Sequence, residues 1–265
     1  MANGGITIII LYFLIGLIAS TFGAIAGLGG GVIIKPVLDF FGHYDLATIG
    51  ILSSSTVLSM ATVSLIQSKK LNIKINKVIS SIIAFGSIIG GLLGKGIFNY
   101  LTHHLNISEA VAIFQSSLLA LLMVAILLLT KYVNRHYVIK QKVVIFSVGL
   151  ILGLLSAFLG IGGGPLNVVV LRLLFSMSPK ESSFNSIFII FFSQLSSLLL
   201  TSIGTGFSEF DLSMLIYIIS GGVLGGWIGS NLTRLITNQQ VQKIFSIAIF
   251  IMLFINIYNV IHAVM

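Results

Sequence analysis

The stretch GAIAGLGGGVIIKPV, residues 23–37, places three consecutive glycines and a lysine inside a run that is otherwise as apolar as a membrane span. Glycine is unfavourable inside a helix, and a lysine is costly in hydrocarbon. A second triplet stands in GIGGGP, positions 160–165, which repeats the GLGGGV of positions 27–32. The pattern predicts two helices that are each broken at the same point of a repeated unit.

The composition indicates that these breaks lie in a membrane protein. Of the 265 residues, 57% are hydrophobic and 8% are charged, and the mean hydropathy is +1.13. Soluble domains are roughly one quarter charged. Apolar runs cover nearly the whole chain, and because each helical span takes about 20 residues, no room is left for a separate soluble domain. We expect an all-α polytopic membrane protein with a single membrane domain over residues 1–265.

The formal net charge of +8 does not indicate a nucleic-acid-binding protein. The basic residues lie mainly in the loops between apolar runs, as the positive-inside rule predicts for a membrane protein. The N-terminus lacks the basic residues that precede the apolar core of a secretory signal, so we interpret it as mature structure. Since the chain has no cysteine and its histidines fall at span ends, we expect neither a cofactor nor a metal.

The loop charges predict which ends of the spans face the cytoplasm. Loops 69–77 and 131–142 are strongly basic and are expected inside, whereas loops 102–109 and 204–211 lack Lys and Arg and are expected outside. Counting the crossings then makes residues 143–175, a long apolar run followed by a short one, enter and leave on the same side, and a matching first piece places both termini outside. Each half becomes one Gly-tipped broken or re-entrant helix plus three full transmembrane helices.

This count makes the two halves inverted repeats. The first repeat covers residues 1–130, a basic cytoplasmic linker covers 131–142 and the second repeat covers 143–265. Inverted repeats with broken helices at matching positions are typical of secondary transporters whose site lies at mid-membrane. An ion channel would fit the repeats as well.

The short helix after each glycine triplet directs free N–H groups and its positive end at the break, which suits an anion. The alternative is that the glycines merely permit a tight hairpin or close packing. Neutral donors nearby, in residues 53–56 and at Ser186 and Gln194, either replace a hydration shell or hold helices together. The predicted substrate-binding residues are Gly29, Gly30, Gly31, Lys35, Ser54, Ser55, Gly162, Gly163, Gly164, Asn167 and Asn185.

Lys35 is the charged member of this set, one helical turn beyond the first triplet. An intramembrane lysine is a functional candidate, although it could also snorkel to the surface with help from Asp39 at i+4. Arg172 stands two turns beyond the second triplet and is interpreted as a topological or lipid-headgroup residue. Two sets of glycines at four-residue spacing predict helix-packing surfaces. They are Gly86, Gly90 and Gly94, and Gly221, Gly225 and Gly229.

The paired motifs GAIAGLGGGVIIKPVL and GLLSAFLGIGGGPLNVVVL, with the later GSIIGGLLGKG and SGGVLGGWIGS, resemble the sulfite exporter TauE/SafE family of sulfonate and sulfur-anion permeases. The resemblance spans the whole chain. It implies transport of a small anion, such as sulfite or a sulfonate, across the cytoplasmic membrane of a prokaryote, with the glycine triplets at the site. The second copy departs from the pattern, because Pro165 follows its triplet directly and Val169 stands where Pro36 has its counterpart.

The favoured interpretation is a secondary transporter that binds an oxyanion between the two glycine turns and works by alternating access. An anion channel is the first rival, and a purely structural membrane protein is another. An intramembrane enzyme is less favoured because the chain lacks the Gly-x-Ser-x-Gly and His-Glu-x-x-His motifs. The expected partners are a small anion, membrane lipid and a coupling proton or sodium ion, with Asp39 or Glu181 as the acidic candidates. The substrate, the direction of flux and the oligomeric state stay open.

Overall fold

The computed structural model describes most of the chain, and the described part is built from ten α-helices. The described residues are 2–70, 75–101, 108–132, 137–159, 162–204 and 206–264. The helices are α1 (Ala2–Ala26), α2 (Gly31–Phe41), α3 (Leu46–Lys70), α4 (Lys77–Asn99), α5 (Ser108–Tyr132), α6 (Lys142–Leu159), α7 (Gly164–Phe175), α8 (Pro179–Ile203), α9 (Leu215–Leu235) and α10 (Asn238–Val264). The all-α prediction is confirmed for these residues.

Seven of the described helices are long and apolar enough to cross a membrane, namely α1, α3, α4, α6, α8, α9 and α10. The chain is therefore a multi-pass membrane protein. By contrast, α2 has 11 residues and α7 has 12, which gives each about half the length needed to cross the hydrocarbon core. The two short apolar runs of the sequence are thus short helices, as predicted.

The helices break where the glycine triplets predict. Gly29 and Gly30 have φ angles of 83° and 70°, and Gly162 and Gly163 have φ angles of 67° and 80°. L side chains rarely adopt this left-handed region, so these positions require glycine. The chain resumes helical geometry at the third glycine of each triplet.

The first break folds α1 and α2 into a hairpin with unequal arms. The hydroxyl of Tyr12 on α1 lies 3.0 Å from Nδ1 of His43, just beyond the end of α2. The part of α1 before Tyr12 therefore extends past the end of α2. Helices α1 and α6 are each long enough to cross the membrane alone. Their lengths therefore do not test whether each hairpin enters and leaves on the same side, and this stays a prediction.

Glycines hold α4 against α6 and α1 against α9. A Cβ at Gly86 would lie 2.9 Å from the backbone N of Leu150, and one at Gly221 would lie 2.7 Å from the backbone N of Leu17. Both distances are too short for real Cβ atoms, so the backbones touch because these residues are glycine. The predicted packing role is confirmed.

These contacts also define how the glycines of the two halves correspond. Leu17 and Leu150 occupy the same place relative to their glycine triplets, and they contact Gly221 and Gly86 respectively, which makes these two glycines counterparts. The sequence alone suggests an offset of 131, which pairs Gly221 with Gly90 instead. The two alignments differ by four residues, which is about one helical turn. Because the glycines recur at every fourth position, a shift by four residues again places glycine opposite glycine.

Parts of the loops that carry the topology prediction lie outside the described residues. These are residues 71–74 and 133–136 of the two basic loops, and residues 102–107 and 205 of the two loops expected outside. The orientation of the spans and the inversion of the two halves therefore stay predictions.

Candidate functional site

The two glycine turns meet in the interior of the protein. A Cβ at Gly164 would lie 2.6 Å from Cα of Leu28, which means that the backbones of the two turns are in direct contact. On the other side, a Cβ at Gly27 would lie 3.0 Å from Cβ of Ser183 on α8. The second turn and α8 therefore enclose the first turn.

A small cavity of about 20 Å³ lies between the turns. This is space for roughly one water molecule. Helices α3 and α8 close its sides, and the short helix α2 leads away from it. The lining residues are Leu28, Gly29, Gly31, Lys35, Ser53, Val57, Gly162, Ile190 and Gln194.

Lys35 brings a positive charge to this cavity. It lies one turn into α2 and is half-buried, and its side chain contributes to the cavity wall. Asp39, which could have drawn it toward the surface, is exposed. None of the described lining residues is acidic. The cavity is therefore suited to a negatively charged ligand.

Backbone groups of the first turn add to this polarity. Gly31 N–H donates to the carbonyl of Gly29 over 2.8 Å, and Ile34 N–H donates to the carbonyl of Gly30 over 2.9 Å. The N–H groups of Gly29 and Gly30 themselves make no hydrogen bond within the part of the chain that the structure describes. They stand at the N-terminal, positive end of α2, where anions bind favourably.

Ser53 is the serine of α3 that reaches the cavity. It is 1% exposed, and its Oγ lies 3.1 Å from the position of a Cβ on Gly31. Val57 follows at i+4 and lines the cavity from the same helix face. Ser54 and Ser55 are rotated from this face by about 100° and 200°, because a helix turns once in 3.6 residues. The structure does not place these two predicted residues at the cavity.

Asn167 lies beside the second turn without lining the cavity. It is 2% exposed, and its Nδ2 lies 3.4 Å from the position of a Cβ on Gly163. Its Oδ1 is buried and has no hydrogen-bond partner among the described residues. Asn167 therefore presents an unused polar group next to the turn.

Asn185 is not among the residues that line the cavity, and its side chain links two helices. Its Oδ1 accepts hydrogen bonds from the N–H of Asn76 over 2.8 Å and from the hydroxyl of Ser80 over 2.7 Å. Its Nδ2 donates to the carbonyl of Glu181 over 2.7 Å. These bonds join α8 to the start of α4, which gives this predicted site residue a structural task.

Arg172 is half-buried, and its side chain contacts another helix. Its guanidinium donates to Oε1 of Gln242 on α10. This contact ties the short helix α7 to the last helix. The sequence-based interpretation of Arg172 as a topological or lipid-headgroup residue did not include this contact with Gln242.

Sequence reasoning missed the apolar part of the cavity wall. Val57 and Ile190 both line the cavity, and they are counterparts under the same alignment that superimposes the two glycine triplets. The repeat thus contained a signal for them. Leu28, inside the first turn, was not predicted either, because a leucine within an apolar run gives no sign that it lines a site.

Comparison with known proteins agrees with this architecture. The family described as Sulfite exporter TauE/SafE matches residues 12–255. The chain is also similar to a protein of Bacillus subtilis (strain 168) named "Probable membrane transporter protein YunE", with 24% identity over 273 aligned positions. The match covers 91% of this chain and 94% of that protein. No solved structure gives a significant match.

Proposed function

Because the chain belongs to the sulfite exporter TauE/SafE family of membrane transporters, we propose that it moves a small sulfur oxyanion, such as sulfite or a sulfonate, through the site between its glycine turns. It acts as a secondary transporter in the cytoplasmic membrane of a prokaryote, by alternating access. The observation that carries the proposal is the cavity at the contact of the two turns, which combines Lys35 with the backbone N–H group of Gly29, unpaired among the described residues.

The chemistry of the wall suits an oxyanion. A buried anion needs an opposite charge or several donors to replace its hydration shell. Lys35 supplies the charge, Ser53 supplies a hydroxyl, and the Gly29 N–H group supplies a backbone donor. From the other half of the chain, Gly162 lines the cavity, and Gly164 holds the second turn against Leu28.

The size of the cavity supports a mechanism with a conformational change. At about 20 Å³ it has room for roughly one water molecule, less than a sulfur oxyanion with its three oxygens needs. Binding therefore separates the two turns, which touch through Leu28 and Gly164. Movement of one half of the chain against the other opens the site to either side in turn, and a proton or sodium gradient drives the cycle.

The first test measures flux of labelled sulfite into proteoliposomes with imposed proton or sodium gradients. The parent is compared with Lys35→Gln, which removes the charge from the cavity. Lys69→Gln is the matched control, because Lys69 is exposed at the end of α3. We expect saturable flux in the parent and in the control, and loss of most of the flux in Lys35→Gln.

Three results would contradict parts of the proposal. Equal flux in Lys35→Gln and Lys69→Gln would remove the lysine from the transport site. Non-saturating flux with single-channel currents would make the protein a channel. If the folded parent moves neither sulfite nor sulfoacetate under any gradient, the assignment of sulfur anions is wrong.

A further inference from the structure

The wall of the cavity is partly symmetric. Gly29 and Gly162 both line it, as do Val57 and Ile190, and the members of each pair are counterparts in the two halves when the glycine triplets are aligned. Each half of the chain thus supplies the same backbone turn and a β-branched side chain of similar shape. These shared residues account for the close packing around the cavity.

Two polar residues break this symmetry. In the same alignment, Lys35 corresponds to Val168 and Gln194 corresponds to Ala61. Val168 is 2% exposed and Ala61 is fully buried, so apolar side chains satisfy the packing at both counterpart positions. Packing alone therefore does not require a polar residue at either place. The first half contributes a charge to the cavity, and the second half contributes a neutral amide.

Gln194 is placed to act on a ligand. It is 9% exposed and lines the cavity, and its Nε2 lies 3.3 Å from the position of a Cβ on Gly162. Neither of its amide atoms makes a hydrogen bond within the described ranges of the chain. An unpaired amide at the edge of a cavity is free to donate, so a ligand that offers an acceptor oxygen would gain a hydrogen bond there.

We propose that Gln194 is a specificity-determining residue that selects oxyanions over spherical anions; the inference rests on the anion site proposed above. Lys35 attracts any anion, because a charge acts without direction. The Nε2–H group of Gln194 requires an acceptor oxygen in a defined direction, since hydrogen bonds weaken steeply away from linearity. Lys35 of the first half therefore attracts the anion, and Gln194 of the second half selects which anion binds.

The experiment measures binding apart from transport. The unfolding temperature of the purified protein is titrated with sulfite and with bromide at constant ionic strength, since a ligand that binds the folded state raises it. The variants are Gln194→Leu and the nearly isosteric Gln194→Met, which serves if the first does not fold. Gln67→Leu is the matched control, because Gln67 is 7% exposed on α3 and does not line the cavity.

We expect both Gln194 variants to bind sulfite roughly 10- to 100-fold more weakly than the parent, the range for loss of a hydrogen bond to a charged group. Bromide binding should change by less than about twofold, because bromide accepts weaker hydrogen bonds than a sulfite oxygen and is held mainly by the charge of Lys35. In Gln67→Leu both affinities should equal those of the parent. Equal losses for both anions, or no loss for either, would overturn the inference.

Flux in proteoliposomes separates this inference from the proposed function. If the parent binds sulfite but does not move it, the transport proposal fails while the binding ratio still decides the role of Gln194. If the parent binds no anion, both fail together. If the parent transports sulfite and Gln194→Met keeps the parent's preference for sulfite over bromide, the transport proposal stands and the selective role of Gln194 is wrong.

Discussion

Ser186 on α8 donates a hydrogen bond of 2.7 Å to the carbonyl oxygen of Gly27, and the same hydroxyl lies 3.5 Å from the carbonyl oxygen of Gly164. One side chain thus reaches the backbone of both glycine turns. Ser186 is fully buried, so no bulk water competes for these carbonyls. If transport separates the turns, this hydroxyl is at the point where they part.

Ser186→Ala should lower both stability and flux. The substitution leaves the buried carbonyl of Gly27 without its partner, which costs about 1–3 kcal/mol. It also removes the link between α8 and the first turn, so the geometry of the cavity is held less firmly. Chemical unfolding gives the first quantity, and sulfite flux in proteoliposomes gives the second.

Ser182→Ala is the control for this comparison. Ser182 is also fully buried on α8, but its hydroxyl donates to the carbonyl of Pro179 in the same helix over 3.0 Å. Loss of a bond within one helix should affect stability alone. If Ser182→Ala reduces flux as much as Ser186→Ala does, the link between the turns has no special role.

Gly164→Ala should abolish flux by forcing the turns apart. Its new Cβ would lie 2.6 Å from Cα of Leu28, and backbone atoms cannot move aside as a flexible side chain can. Such overpacking costs about 1–3 kcal/mol. Gly50→Ala is the control, since a Cβ there meets nothing within 4 Å, and in a helix it should stabilise by roughly 0.5–1 kcal/mol. Flux of Gly164→Ala near that of Gly50→Ala would show that the contact is not needed.

Gly90→Ala tests the interface of α4 with α6 without touching the cavity. A Cβ there would lie 2.8 Å from the carbonyl carbon of Leu150, so the helices must separate. We expect loss of stability by about 1–3 kcal/mol. Gly96→Ala on the same helix meets nothing within 4 Å and should leave unfolding unchanged or slightly improved. Equal unfolding midpoints for the two variants would contradict the glycine-dependent packing.

The predicted topology can be tested by single cysteines, because the chain has none of its own. Ser208, in a loop expected outside, and Lys140, in a basic loop expected inside, are both exposed. A membrane-impermeant thiol reagent added to intact cells should label Ser208→Cys and should label Lys140→Cys only after lysis. The opposite result would reverse the orientation and place both termini in the cytoplasm.

The breaks in the helices could be predicted because their cause is local. A run of three glycines destabilises a helix wherever it stands, and the short apolar runs that follow set the lengths of α2 and α7. The presence of Lys35 at the turn followed from its position one helical turn beyond the first triplet.

The polar part of α3 could not be predicted to the residue. Residues 53–56 read SSST, so every direction around the helix carries a hydroxyl and the sequence gives no preferred face. Tertiary packing decides that Ser53 and Val57 face the cavity. The hydrogen bonds of Asn185 could not be predicted either, because its partners Asn76 and Ser80 lie in the other half of the chain and are brought to it only by tertiary packing.

The start of α3 provides a pH-dependent prediction. The carboxylate of Asp45 accepts hydrogen bonds from the hydroxyl of Thr48 and from the N–H groups of Thr48 and Ala47. These bonds, that of the Thr48 hydroxyl above all, lower the pKa of Asp45 in the folded state. A carboxylate with a lowered pKa stabilises the fold above its unfolded pKa of about 3.9, and this contribution is lost as the pH falls through the folded pKa.

Asp45→Ala should therefore lower the unfolding temperature most at neutral pH. Loss of such a helix N-cap costs about 1 kcal/mol, which corresponds to roughly 2–4 °C for a chain of this size. The difference from the parent should be constant between pH 5 and pH 7, about one unit or more above the unfolded pKa, and should shrink on acidification. Asp39→Ala, which removes an exposed carboxylate from α2 instead, is the control. A difference for Asp45→Ala that persists unchanged below pH 3 would mean that the ionised carboxylate does not stabilise the start of α3.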